Sequence, residues 1–255
     1  MLAKFDLSGK TAIVTGGAGG IGRILAQGLA ECGADILVAD RQFEGFEQVA
    51  DRVRETGRRI QTVSVDITNE ESVDEMIKQA MEEYSSIDIL VNAAGTVFRE
   101  ATESLPADEW QKVMDVNVRG VFLTCRAAGR VMIERGGGKI VNISSVKGRY
   151  GGSKGDVSYC SSKGAVDNLT RTLACEWAKK NVFVNAIAPA VVETELTRAI
   201  FENPEDTKKL QDRIPLGRWA VADDIVGPVI FLASSASDFI TGQIIYVDGG
   251  MTAQS

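Results

Sequence analysis

Short apolar runs alternate with longer amphipathic stretches along most of the chain. The runs are rich in branched residues, as in Lys10–Thr15 and Val182–Ala188, and the stretches between them repeat their apolar residues every three or four positions. Short apolar strands joined by amphipathic helices are typical of a parallel sheet that is buried on both faces. This order predicts an α/β fold, a doubly wound sheet of about seven parallel strands with helices on both faces and right-handed crossovers.

The boundaries of the predicted elements come from where the apolar pattern starts and stops. Strands are expected at Lys10–Thr15, Ala34–Asp40, Ile60–Val65, Ile87–Val91, Lys139–Ile143, Val182–Ala188 and Gln243–Val247. Helices are expected up to Cys32, around Tyr159, and at Phe43–Thr56, Glu70–Tyr84, Ala107–Val116, Val121–Glu134 and Ala222–Ser234. The length of 255 residues favours one domain over 1–255, within which the less periodic residues 190–219 are expected to form a substrate lid.

A glycine-rich turn follows the first predicted strand and opens the first helix. It reads Gly16-Gly17-Ala18-Gly19-Gly20-Ile21-Gly22. Backbone N–H groups at a helix N-terminus, together with the helix dipole, stabilise a pyrophosphate without any basic side chain. One glycine turn can be no more than a tight turn, but a strand before it and a helix after it indicate a dinucleotide site.

An acid ends the second predicted strand, which bears on the choice of dinucleotide. Asp40 comes 18 residues after Gly22 and can accept both ribose hydroxyls of an adenosine, which favours NAD over its 2′-phosphorylated relative. Arg41 weakens this argument, because an arginine there can meet a 2′-phosphate. The glycine turn carries no Lys or Arg, so NAD is favoured and NADP is the alternative; Asp40 can also simply begin a turn.

Two further strand ends supply candidate cofactor contacts. Asp66 ends the third strand and can either reach the adenine or cap the next helix, in competition with Thr68 or Asn69. Asn92-Ala93-Ala94-Gly95 follows the fourth strand and is small enough for a cofactor to lie against its backbone. Tight packing is the other explanation for these small residues.

Tyr159 and Lys163 stand four residues apart on a predicted helix, so both side chains project from one face. A neighbouring ammonium favours a phenolate and lowers the tyrosine pKa from about 10 towards that of a useful general base. Ser145, at the end of the fifth strand, can hold the substrate oxygen that exchanges a proton with Tyr159. Many chains contain such a pair by chance, but this chain has no histidine to act as a base instead.

Composition excludes several other classes of protein. A net charge of -7 and a pI near 4.9 oppose binding to nucleic acid. The four cysteines are scattered without a C-x-x-C pair, so no disulfide framework and no metal site are expected, and a reducing cytoplasm suits them. The N-terminus lacks an apolar leader and no run of 18 apolar residues occurs, so neither export nor a membrane span is expected.

Together these motifs resemble the short-chain dehydrogenase/reductase family over Phe5–Met251. Thr15-Gly16-x-x-x-Gly20-x-Gly22 is similar to the family's T-G-x-x-x-G-x-G, and Asn92–Gly95 is similar to its N-N-A-G. Asn117, Ser145, Tyr159 and Lys163 resemble its catalytic tetrad. The resemblance implies a single Rossmann-type catalytic domain, a nicotinamide cofactor and a homotetramer.

The resemblance also implies roles for individual residues. Tyr159 is the acid/base, Ser145 orients the substrate oxygen, Lys163 binds the nicotinamide ribose and lowers the pKa of Tyr159, and Asn117 holds a water of the proton relay. The cofactor residues implied or inferred are Gly16, Gly20, Ile21, Gly22, Asp40, Arg41, Asp66, Ile67, Asn92, Ala93, Ala94, Gly95, Tyr159, Lys163, Pro189, Val192 and Thr194.

Four positions depart from the family pattern. Ala93 replaces an asparagine, and Ala190 stands where glycine is usual, so a positive φ there would be strained. Ser145 precedes Tyr159 by 14 residues, one more than the family spacing, which leaves Ser144 as an alternative. Gly19 replaces a residue that is basic in many NADP-dependent members, which again favours NAD.

Three later stretches look most like members that act on sugar acids, the gluconate and 2-dehydro-3-deoxy-gluconate 5-dehydrogenases: Glu176–Asn181, Arg213–Trp219 and Phe231–Ser235. Arg99, Lys147, Arg149 and Lys154 lie in loops near the strand ends, where a substrate carboxylate needs a cation; Ser145 and Tyr159 complete the candidate substrate site. Solvated loop charge is the simpler explanation for these cations. A 3-oxoacyl carrier-protein reductase and, from another class, a non-catalytic nucleotide-binding regulator remain alternatives.

Overall fold

The computed structural model describes residues 2–152, 155–194, 197, 200–202 and 204–253. One sheet of seven parallel strands runs through it in the order β3-β2-β1-β4-β5-β6-β7. The strands are β1 Thr11–Thr15, β2 Asp35–Asp40, β3 Ile60–Ser64, β4 Ile89–Asn92, β5 Gly138–Ile143, β6 Val182–Pro189 and β7 Ile244–Val247. The predicted doubly wound parallel sheet is confirmed, and each strand lies within two residues of its predicted boundaries.

Helices cover both faces of the sheet. They are α1 Gly20–Glu31, α2 Phe46–Glu55, α3 Glu70–Tyr84, α4 Ala107–Met114, α5 Val121–Glu134, α6 Val157–Trp177, α7 Pro204–Gln211 and α8 Asp223–Ala233. The core on one face joins α3, α5 and α6, and the core on the other joins α1, α2 and α8. Successive strand residues feed the two cores in turn, since Ile13 belongs to the first and Val14 to the second.

A π-helical turn, Asp115–Gly120, separates α4 from α5. The sequence pattern predicts one helix before Asn117 and another after it, and the structure joins these two helices through this wider turn. π-turns interrupt the ordinary hydrogen-bond ladder and are frequent at functional sites. Asn117 sits in the turn with no exposed surface.

The strand order reverses between β1 and β4, and there the carboxyl ends of two strands leave a crevice. Gly16, just after β1, has a φ of 66°, and a Cβ on it would lie 2.6 Å from the Cα of Ala94 after β4. A side chain at Gly16 would therefore force these two strand ends apart, so the sequence requires glycine at this position.

Residues after β6 pack over the carboxyl ends of β5 and β7. Val192 forms an isolated bridge with Ala220, and Phe201 meets Trp219 edge to face with ring centroids 5.3 Å apart. Val146, Ile214 and Met251 form a small buried cluster of their own. Within the described part of the chain, no helix has both the length and the apolar character that crossing a membrane requires.

Candidate active site

The glycine turn presents the N-terminus of α1 to the crevice. Gly19, the residue before the helix, makes no side-chain cap, so the first N–H groups of α1 are not satisfied by a capping side chain. A Cβ on Gly22 would overlap the carbonyl oxygen of Gly16, which shows how tightly the turn folds against the helix. These exposed N–H groups suit a pyrophosphate.

This tight packing leads to a prediction for Gly22→Ala. The added methyl collides with backbone rather than with a flexible side chain, so the turn must move. Its N–H groups then no longer point at the pyrophosphate. We expect the Kd of the dinucleotide to rise about tenfold or more, measured by titration of nicotinamide fluorescence.

Gly19→Ala is the matched control, because a Cβ there has no atom within 4 Å and its φ of -144° suits any residue. Its Kd should stay within about twofold of the unmodified protein. Equal affinities for Gly22→Ala and the unmodified protein would contradict this view of the turn.

Asp40 braces the glycine turn from the end of β2. Its Oδ2 accepts a hydrogen bond from the N–H of Ala18 at 3.1 Å, and its Oδ1 accepts from the N–H of Arg41 at 2.7 Å. The carboxylate therefore begins a turn and lies beside the glycine turn, while its contact with an adenosine ribose stays a prediction. The Arg41 side chain is exposed.

Asp66 forms a local turn rather than a helix cap. Its Oδ1 accepts from the N–H and hydroxyl of Thr68 at 2.9 and 2.7 Å, and these bonds hold the pKa of Asp66 below its ordinary value. The cap of α3 is Asn69, whose side chain accepts from the N–H of Ser72. Ile67 packs against Gly120, where a Cβ would lie 2.6 Å from its Cδ1.

The segment after β4 divides between the sheet and the crevice. The Asn92 side chain is buried, donating to Oδ1 of Asn142 at 2.9 Å and accepting from the hydroxyl of Thr124 at 2.7 Å. It therefore ties β4 to β5 and α5, and only its backbone is available to a cofactor. Ala93 packs against the core beside α1, and Ala94 closes on Gly16.

Ser145 and Tyr159 face each other at the carboxyl end of β5. The Ser145 oxygen accepts from the N–H of Lys147 at 3.2 Å, and the Ser145 hydroxyl lies near enough to the Tyr159 phenol to lower the pKa of that phenol. Burial raises the pKa of Tyr159 above its usual value, while the Ser145 hydrogen bond and the charge of Arg99 oppose that rise. Lys163 is not among the groups that lower it, so its predicted effect on Tyr159 stays a prediction.

Ser144 points elsewhere, which decides between the two serines. Its hydroxyl donates to Oδ1 of Asp167 at 2.5 Å, and both groups are buried. Consecutive residues at a strand end project to opposite sides. Ser145 is therefore the serine that lies beside Tyr159.

Lys163 is buried on the same helix face as Tyr159. Its Nζ lies 5.6 Å from the centre of the Tyr159 ring and donates to the carbonyl of Ile143 at 2.8 Å. Burial lowers the pKa of Lys163 to about 8, against the opposing charge of Asp167. A Cβ on Gly95 would lie 3.8 Å from this Nζ, so the β4 end and the lysine share one wall of the crevice.

The Asn117 side chain is fully used in holding the crevice together. Its Oδ1 accepts from the N–H of Thr96 and its Nδ2 donates to the Thr96 carbonyl, both at 2.8 Å, and Nδ2 also donates to the hydroxyl of Ser162 at 3.0 Å. The side chain therefore links the β4 loop to α6. The water-holding role implied by the resemblance stays a prediction, and the Asn117 backbone is the part that could fill it.

The four loop cations are not equivalent. Arg99 and Lys147 both bind Asp156, at 3.2 and 3.1 Å. The Arg149 guanidinium instead stacks 5.5 Å from the centre of the Tyr246 ring on β7. Lys154 lies outside the described residues.

The residues after β6 vary in how they meet the crevice. Pro189 ends β6, and Ala190 has no positive φ, so the strain considered for alanine at this position does not arise. Val192 is buried, and the N–H of Thr194 donates to the hydroxyl of Thr197 at 3.0 Å.

Sequence reasoning missed two buried acids beside the site, Asp156 and Asp167. Asp167 comes four residues after Lys163, a spacing that places it on the same helix face and that could have revealed it. Asp156 precedes α6 directly, where an acid is usually taken for a helix cap, but it makes no side-chain cap. No pattern in the sequence around Asp156 indicates its ion pairs with Arg99 and Lys147.

Comparisons with known proteins agree with this geometry. A family model described as enoyl-(acyl carrier protein) reductase matches residues 16–252. The chain is 40% identical to a 2-dehydro-3-deoxy-D-gluconate 5-dehydrogenase of Escherichia coli over 255 residues, which is all of both chains. It is 39% identical to an NAD-dependent glycerol dehydrogenase of Listeria innocua over 250 residues, 97% of this chain and 96% of that one.

A solved structure extends the likeness to three dimensions. The gluconate 5-dehydrogenase of Burkholderia cenocepacia, in complex with NADP and tartrate, has a TM-score of 0.95 and 40% identity, and the match covers 100% of this chain and 99% of that one. The chain thus shares sequence over its full length, and its fold, with these dehydrogenases. It also brings the glycine turn, Ser145, Tyr159 and Lys163 to one crevice. The chain therefore belongs to the short-chain dehydrogenase/reductase family of nicotinamide-dependent oxidoreductases.

Proposed function

We propose that this enzyme reversibly oxidises a secondary alcohol of a sugar acid, with NAD as the hydride acceptor. The observation that carries the proposal is the grouping of Ser145, at the carboxyl end of β5, with Tyr159 and with the Lys163 Nζ, which lies 5.6 Å from the centre of the Tyr159 ring. This arrangement supplies a proton acceptor and an orienting hydroxyl in a chain without histidine.

In this mechanism Tyr159, as the phenolate, removes the proton of the substrate hydroxyl. Ser145 donates a hydrogen bond to the same substrate oxygen, and its own oxygen is fixed by the N–H of Lys147. Lys163 stabilises the phenolate and holds the ribose, and the Asn117 backbone holds a water through which the proton leaves. The nicotinamide, when bound, supplies the hydride chemistry.

NAD is the proposed cofactor because of the acid at the end of β2. Asp40 lies beside the glycine turn and opposes a 2′-phosphate by charge repulsion. Gly19 itself supplies no cation for such a phosphate, and a Cβ there would have no atom within 4 Å. The Burkholderia cenocepacia relative was solved with NADP, so a direct comparison of the two cofactors is essential here.

A sugar acid is the proposed substrate because of Arg99. Its charge acts on Tyr159, and Arg99 lines a cavity of about 660 Å³ that also includes Asp156 and Cys160. A guanidinium whose charge acts on the acid/base suits a carboxylate on the same small substrate. Relatives act by name on a sugar acid and on the neutral glycerol, which defines the choice to be tested.

Arg99→Ala should raise the KM for the best sugar acid about tenfold, with a smaller effect on a neutral polyol, because the carboxylate loses a charge-assisted hydrogen bond. Steady-state kinetics measure this. Arg149→Ala is the matched control, since its guanidinium stacks on Tyr246 away from Asp156. An unchanged KM for Arg99→Ala, or equal effects of the two variants, would remove Arg99 from the substrate site.

The function itself is tested with a substrate panel. Polyols, sugar acids, steroids and oxoacyl thioesters are assayed with NAD(H) and NADP(H) by absorbance at the nicotinamide band. The proposal requires the highest kcat/KM for a sugar acid with NAD. A preference for oxoacyl thioesters would favour a carrier-protein reductase, and no turnover with any substrate would favour a nucleotide-binding regulator.

The proposal extends to the setting of the enzyme. It is a single-domain cytoplasmic homotetramer in which residues 190–219 form a lid over the substrate. Exposed apolar side chains on the described surface, such as Leu216 and the fully exposed Phe239, support association between copies. The packing of Ile214 against Val146, just after Ser145, supports a lid over the site.

A further inference from the structure

Asp156 joins the two loops that carry the candidate substrate cations. Its Oδ1 accepts from the Nε of Arg99 at 3.2 Å, and its Oδ2 accepts from the Nζ of Lys147 at 3.1 Å. Arg99 lies after β4 and Lys147 after β5. The Asp156 side chain is only 11% exposed, so solvent screens these two ion pairs less than ordinary surface pairs.

The backbone around Asp156 is built to allow this arrangement. The N–H of Glu100 donates to the carbonyl of Gly155 at 3.3 Å, which joins the same two loops a second time. A Cβ on Gly152 would lie 2.5 Å from Oδ2 of Asp156 and 2.9 Å from Nζ of Lys147. Glycine at this position therefore leaves room for the Asp156–Lys147 pair.

Arg99 uses only its inner nitrogen in this contact. Among the residues that the structure describes, neither terminal nitrogen of Arg99 has a hydrogen-bond acceptor. The guanidinium fork therefore keeps the pair of parallel donors that matches a carboxylate. Resting on the proposed function, we propose that Asp156 is a positioning residue that holds Arg99 by its Nε and turns the two terminal nitrogens towards the substrate carboxylate.

Charge attraction alone does not explain selection of an acid here. Around the cavity, the two cations Arg99 and Lys147 are outnumbered by the three acids Asp156, Glu100 and Glu103. An acid is therefore recognised through directed hydrogen bonds at short range, which depend on the orientation of Arg99. This separates positioning by Asp156 from a purely electrostatic effect. On loss of Asp156, positioning predicts a higher KM for the acid, whereas a purely electrostatic effect predicts a lower one.

The test compares Asp156→Ala with Glu103→Gln, which removes a negative charge from the same cavity without touching either cation. Positioning by Asp156 requires the KM for the best sugar acid to rise about tenfold or more in Asp156→Ala, with the KM for glycerol within about twofold and Glu103→Gln unaffected. A lower KM for the acid in Asp156→Ala would show a charge effect alone and overturn the inference.

Asp156→Asn keeps the shape of the side chain and one acceptor, so it covers the case in which Asp156→Ala fails to fold. Its KM for the acid should rise less, by about threefold.

A crystal structure of either variant adds a readout without substrate, and Arg99 unmoved from its original position would overturn the inference. If the unmodified enzyme uses acids but KM does not change, the inference fails alone. If it uses no acid, the proposed function fails with it.

Discussion

Tyr159→Phe should lower kcat by about 10²- to 10⁴-fold while leaving the Kd of the dinucleotide within about twofold. In the proposed mechanism the phenol oxygen exchanges the substrate proton, and phenylalanine keeps the ring but loses that oxygen. The ring itself packs beside Lys163 and Ser145, so the fold and the cofactor crevice are retained. Steady-state kinetics and fluorescence titration of the cofactor measure the two quantities.

Tyr150→Phe is the matched control for this experiment. Tyr150 lies on the loop between Ser145 and Tyr159, and its hydroxyl contacts the sulfur of Met251 at 2.9 Å rather than the catalytic groups. Its loss should change kcat by no more than about threefold. A Tyr159→Phe enzyme with undiminished turnover would rule out the acid/base role. Undiminished activity of this variant in the protein's biological assay would favour the regulator.

Lys163→Met should lower kcat/KM by about 10²-fold. If Lys163 acts on the phenolate as predicted, a unit charge 5.6 Å from the centre of the Tyr159 ring would contribute about 3 kcal/mol at an effective dielectric constant of about 20. Methionine fills similar space without the charge, so the loss reports mainly on electrostatics. Lys179→Met, at an exposed position after α6, is the control and should behave as the unmodified enzyme. Unchanged kcat/KM in Lys163→Met would remove the lysine from catalysis.

The same variant tests the burial of Lys163 through the pH dependence of stability. The pKa of Lys163 is lowered to about 8 in the folded protein, against an ordinary value of 10.5, so between these values the unfolded chain binds more protons. The free energy of unfolding therefore rises with pH in this window. Relative to Lys163→Met, the unmodified protein should gain about 3 kcal/mol between pH 8 and about 10.5 in urea unfolding. A constant difference would mean that Lys163 is not buried as a cation.

Spacing along the chain determined much of the site. The glycine turn, the acid at Asp40 and the Tyr159–Lys163 pair each depend on residues that are neighbours in one element. Helical and strand periodicity place such residues relative to each other whatever the rest of the fold does. The resemblance to the family then linked these local motifs into one crevice.

Tertiary contacts decided what local spacing left open. Ser144 and Ser145 are adjacent in sequence, so spacing alone does not distinguish them. The packing of α6 on β5 shows that Ser144 forms a hydrogen bond with Asp167, whereas Ser145 faces Tyr159. The sequence motif predicts Asn92 as a cofactor contact. Its side chain instead forms hydrogen bonds that link β4 to β5 and α5.

The sequence by itself therefore determined the fold class and the family and predicted the reacting groups, because these follow from periodic patterns and short spacings. Only the tertiary structure showed that Asp156 pairs with Arg99, which lies 57 residues away, and with Lys147, and that Arg149 stacks on Tyr246 instead. Ion pairs between loops depend on how strand ends meet in space. No periodic pattern along the chain records that distance.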